Sequence, residues 1–175
     1  MIGALETGRQ RLLVRKGGIR DPRGAFELKH REFLLYPTIE HQEKQSIRPE
    51  FWGCFPADSA DEAPRRVEFR VTAKTALVRE IRDPEILRKL ENHHIWTPEF
   101  LEKRMSYRPQ APTVVVVVRC YRLPKPVLHE VRPEEAGCKS WVPLAEPVSA
   151  EGAEPVLDDR RFRAVLGEIT AVLGD

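Results

Sequence analysis

Apolar positions along this chain change period several times, and each change predicts an element. Residues 11–15, "RLLVR", hold three apolar residues between two arginines and predict a strand. Gly17 and Gly18 follow at once and supply the positive φ of a tight turn. The run "FELKHREFLLYPT", residues 26–38, is rich in β-formers up to Pro37, so the two segments predict a strand–turn–strand meander. Val67, Phe69 and Val71 alternate in period two and open one long strand, or two bent at residues 72–75. "TVVVVVRCYRL", residues 113–123, has no alternation and predicts a central strand buried on both faces, ended by Pro124 and Pro126. "GCKSWVPL", residues 137–144, predicts a last short strand.

Helical starts are legible in the same way. Residues 1–7 predict a helical stub. Asp83-Pro84-Glu85 and Thr97-Pro98-Glu99 each read as N-cap, first-turn proline and first-turn acid. Asp158 caps a final helix whose Phe162, Val165, Leu166, Ile169 and Leu173 fall on one stripe. Residues 43–66 lack periodicity, and "PADSADEAPRR" predicts an exposed loop. Strands do not alternate with long helices, which disfavours a doubly wound parallel sheet. The expected fold is α+β, a small mixed-strand barrel with short helical inserts. Residues 1–146 form the barrel domain, and 147–175 a linker and amphipathic helix packed on it.

Composition adds limits. The chain has 175 residues, 41% hydrophobic and 32% charged, the balance of a globular domain with a real core. Cys54, Cys120 and Cys138 have no CxxC spacing, and no secretory signal is evident, so reduced thiols and a cytoplasmic location are expected. "TVVVVV" is too short to span a bilayer, so no membrane role is expected. The formal charge is only +2, but residues 1–31 carry eight cations against three acids. That block fits either a solvated hairpin face or a strand that attracts phosphate.

The blocks "LLVRKGG", "HREFLLYPTIEHQ", "HHIWT" and "VRCYRLPKP…GCKSWVPL" together resemble an uncharacterised bacterial family, domain of unknown function 1802. A more distant likeness is chemical. Gly8, Gln10, Leu13 and Arg15 have the spacing of the G-x-K-x-x-E-x-R motif of ASCH domains, PUA-like barrels linked to RNA. The resemblance implies a PUA-like barrel and an RNA-type ligand. It does not imply catalysis, since Gln10 and Leu13 stand where that motif has its reactive lysine and glutamate, and neither exchanges a proton at neutral pH.

Four groups of residues are candidates. Arg15 and Lys16 beside Gly17 and Gly18 offer a guanidinium fork, an ammonium and open backbone N–H groups, which suit an anion. His30, Tyr36, Thr38, His41 and Gln42 gather hydrogen-bonding and stacking groups, and His94 and Trp96 join them if "HHIWT" overhangs the same mouth. Asp21, Glu27 and Lys29 form D-x5-E-x-K, the pattern of a divalent-metal phosphodiesterase. Such triples also arise by chance in so charged a chain. His30, His41, His93 and His94 show no metal-ligand spacing, so no metal site and no cofactor are expected. Binding of RNA or a nucleotide-type anion is the leading reading. A phosphodiesterase or other hydrolase is the alternative, and an interaction module using the last helix is a third.

Overall fold

The computed structural model describes residues 1–16, 27–37, 43–54, 65–135 and 139–174. Its frame is a ribbon of two long antiparallel strands, β3 (Arg66–Ile81) and β4 (Thr113–Glu130). β1 (Leu12–Arg15) pairs with β4 and β2 (Glu32–Leu34) with β3, giving the order β1-β4-β3-β2, and β5 (Glu154–Pro155) joins β4 beyond this path.

Two expectations are corrected here. β1 and β2 are not a meander but stand at opposite edges, because each finds its partner in the ribbon rather than in its chain neighbour. The sheet of the described strands is therefore open and not a closed barrel. The class is α+β, with an antiparallel sheet and several helices.

β4 is central, and residues 114–118 are buried throughout, as a run of valines with two covered faces requires. Pro124 and Pro126 do not end it. Phe69 pairs with Val127 but Val71 with Arg122, so residues 123–126 stand opposite Arg70 alone. Proline has no N–H for the ladder and is tolerated at such an irregularity. β3 is one strand, and a second register shift falls between Thr75 and Leu77. The shift swaps parity: Val71 and Ala73 face one core, whereas after it Val78 faces that core and Leu77 and Ile81 face the other.

Helices cover one face. α2 (Pro84–Lys89) and α3 (Pro98–Ser106) begin as the capping signals predict, with Asp83 Oδ1 accepting from Glu85 N and Thr97 Oγ1 from Phe100 N. α4 (Asp159–Leu173) is capped by Asp158. Its stripe packs inward: Ile169 joins Leu12, Val14, Leu87, Leu90, Leu101, Val115 and Val117 in one core, with Val165, Leu166 and Leu173 against it. Arg119 on β4 pairs with Asp159 and lies 5.2 Å from the Phe162 ring, fixing the start of α4 to the sheet. The stripe is thus core rather than a free docking surface.

The opposite face is covered by α1 (Ile2–Glu6), through Leu5, and by Val156. The chain leaves α1 through Gly8 at φ +69°, where a Cβ would come within 2.9 Å of Leu157. Residues 139–144 form no strand, contrary to expectation. They carry Trp141 against Phe33 of β2 at 5.3 Å and Ser140 against Arg15 of β1 at 3.2 Å. Short 3-10 turns at Lys44–Ser46, Pro49–Cys54, Glu91–His93 and Pro133–Glu135 had no periodic signal.

Candidate anion-binding cleft

Three strand ends meet at one end of the sheet. Arg15 lies opposite Val114, and Ile81 opposite Thr113, so the residues closing β1, opening β4 and closing β3 lie side by side. α3 and the turn after it, where Arg108 adopts φ 51°, close the space above them. The result is a cleft of about 410 Å3 lined by Lys16, Ile81, Arg82, Thr113, Glu102 and Met105, with Pro84, Ser106, Pro109 and Ala111. That volume lies within the range of small-ligand sites.

The floor is covered and the rim is open. Lys16 is 5% exposed, Ile81 4% and Thr113 1%, whereas Arg82, Pro84, Glu102, Ser106 and Pro109 are exposed. Lys16 Nζ donates to the Met105 carbonyl near the C-terminal end of α3, where a cation is favoured by the free carbonyls. An ammonium has three donors, and no second bond or carboxylate partner engages this one among the described residues. Its pKa is lowered by burial first, then by the charges of Arg104 and Arg82. The group is covered yet lies near the surface, so an arriving anion can reach it. Thr113 Oγ1 is buried with no hydrogen-bond partner among the described residues. Arg104 is also pushed below its ordinary pKa by burial, which Tyr107 partly opposes. The carboxylate at the rim, Glu102, is held by Arg88 at 3.2 Å.

Among the described residues, Lys16 is the one sequence candidate that lines this cleft. Arg15 has the parity of Leu13 and projects to the opposite face, where Nη2 donates to Ser140 Oγ. Adjacent residues at a strand end therefore serve different faces, and no joint Arg15–Lys16 clamp exists. His30 packs edge-on to Trp141 at 5.4 Å. Tyr36 belongs to a separate cluster at the other end of the ribbon. There Glu135 Oε2 accepts from Tyr36 Oη at 3.2 Å, His129 Nε2 at 2.7 Å and the Arg132 amide at 3.2 Å. His94 is 2% exposed and fully used: Nε2–H donates to Leu87 O at 3.0 Å and Nδ1 accepts from Trp96 N. Burial lowers its pKa and keeps it neutral. Trp96 stacks on Phe100 at 4.5 Å as a rim of the core.

Arg15, Tyr36, His94 and Trp96 thus do not share a pocket. Gly17, Gly18, Thr38, His41 and Gln42 lie outside the described residues, as does Asp21. Its triad partners Glu27 and Lys29 are exposed, and the Glu27 carbonyl accepts from Trp141 Nε1. No group of three His, Cys, Asp or Glu able to hold a metal occurs among the described residues. Gln10, in the place of the motif lysine, is 1% exposed and donates from Nε2 to Leu12 O. Leu13 packs in the core. Sequence reasoning missed Arg82 and Thr113, although each flanks a strand end that the apolar runs made visible.

These features define an α+β protein with an open antiparallel sheet and a cationic cleft at one sheet end. Within that class the chain belongs to the family described as Domain of unknown function (DUF1802), whose profile matches residues 1–168. No curated protein matches it, and neither does any solved structure. No helix among the described residues is long and apolar enough to cross a membrane.

Proposed function

We propose that this chain is a cytoplasmic protein that binds a phosphate-bearing, nucleotide-type anion, free or within RNA, in the cleft floored by Lys16. The observation that carries the reading is the Lys16 ammonium, covered, with donors to spare and no carboxylate partner among the described residues. A desolvated cation without a counter-ion is unfavourable unless an anion completes it. Arg82 adds a second positive charge at the rim. The motif likeness at residues 8–15 brings no catalytic pair, since Gln10 is buried and Leu13 packs against the core.

Calorimetric titration with a nucleoside monophosphate and with a short single-stranded RNA tests this. At least one binds, more weakly as salt rises. Lys16→Met weakens it about 10- to 100-fold, the scale of a lost charge-assisted hydrogen bond. Unchanged binding by the variant would remove the site from the proposal.

A further inference from the structure

We infer that the cleft takes its ligand end-on, by a terminal phosphate monoester, rather than by a phosphodiester within a strand. This deepens the preceding reading and rests on it.

The first argument is shape. Lys16, Ile81 and Thr113 make a covered floor, and the exposed residues all lie at the rim. A cup closed at the bottom admits the end of a molecule. An internal phosphodiester carries chain on both sides and must leave over the rim in two directions.

The second is hydrogen bonding. Among the described residues, Thr113 Oγ1 is a buried hydroxyl without a hydrogen-bond partner, and Lys16 Nζ, lining the same cleft, makes one bond and retains two donors. A terminal phosphate has three unesterified oxygens and can accept from both groups at once while a third oxygen meets Arg82. An internal diester has two such oxygens and one negative charge, a poorer match to two cations and a hydroxyl.

Charge is the third. A monoester carries close to two negative charges at neutral pH. Lys16 and Arg82 line the cleft, and Arg104 is near enough to depress the lysine. The carboxylate of Glu102 at the rim repels any further phosphate of a strand brought near it. Pro84, Met105 and Pro109 give the body of the ligand an apolar wall.

One oligonucleotide, prepared with and without a 5′-phosphate, provides the test, alongside a nucleoside monophosphate and its nucleoside. The monophosphate and the phosphorylated oligonucleotide bind, and their unphosphorylated forms bind at least about 10-fold more weakly, a difference of about 1.4 kcal/mol. Thr113→Val, nearly isosteric, weakens the phosphorylated ligands while leaving the circular dichroism spectrum unchanged. Equal affinity with and without the terminal phosphate would overturn the end-on inference yet leave nucleotide binding standing. Absence of binding by every ligand would overturn both. If only the oligonucleotide binds and only when phosphorylated, the source is a strand terminus rather than a free nucleotide.

Discussion

The two ends of the β3–β4 ribbon each cover a charge, and they treat it in opposite ways. At the far end Glu135, 4% exposed, receives three donors on a single oxygen, from Tyr36, His129 and the Arg132 amide. Burial alone would raise its pKa, but the His129 bond, the backbone N–H and Tyr36 together outweigh it and hold the carboxyl below its usual range. Near Lys16 burial dominates, neighbouring cations reinforce it, and the group is left poorer than in water. A charge satisfied from within holds a fold together. A charge left wanting is available to a ligand.

Removing each charge is therefore the sharpest way to break the contrast. Glu135→Ala leaves the Tyr36 hydroxyl, His129 and an amide without their acceptor and costs about 2 kcal/mol in urea unfolding. A variant as stable as the parent would show that this cluster is decoration. Tyr36→Phe removes one of three donors and costs about 1 kcal/mol. It also abolishes an alkaline limb: the Tyr36 hydroxyl is pushed up to about 12, first by burial and then by Glu135, so the unfolded chain loses that proton first. Stability of the parent falls as pH rises from about 10 to 12, and in the variant it falls less over that range.

Acid acts through Glu135. Its depressed folded pKa gives stability that is present above the ordinary carboxyl range and lost as pH falls through the folded value. Glu135→Gln flattens that limb, read as the urea midpoint against pH. The smallest effect on stability belongs to Lys16→Met, within about 0.5 kcal/mol of the parent or slightly stabilising, because it removes an uncompensated charge. Stability lost there on the scale of Glu135→Ala would make Lys16 structural and erase the distinction. In the parent, ligand affinity rises toward neutral pH as the phosphate ionises. It then declines on the alkaline side below the usual lysine range, as Lys16 gives up its proton.

Local chemistry was the legible part of this protein. Both proline-led helix starts, the Asp158 cap and the buried valine run follow from neighbours within four residues, and all are observed. Pairing was not legible. Nothing near Leu12 says that its partner is Val117, so the meander was the wrong expectation. Proline signals misled at residues 124–126, where an irregularity absorbs what would otherwise end the strand. The site divided along the same line. Lys16 was found as a cation at a strand end, but grouped with Arg15, although period-two alternation already sends neighbouring residues to opposite faces. Arg82 and Thr113 carry no motif and become partners of Lys16 only through register. Glu135 and His129 were missed because a buried carboxylate in a short 3-10 turn looks, in sequence, like any exposed acid.

The placement of β1 has a consequence for how the molecule assembles. β3 and β4 enclose residues 82–112, so the ribbon, α2 and α3 can associate as one contiguous stretch of chain. β1 then adds to β4 across a far longer loop, closing at Leu12 against Val117. Long closures are entropically costlier and slower to form. Lys16 rides on that strand, so the cup has no floor cation until the N-terminal segment docks. A phosphate bound there would select the fully closed chain over every partly closed one, by about 2.7 kcal/mol at a hundredfold excess over Kd. The ligand would act as a clasp on that long-range closure.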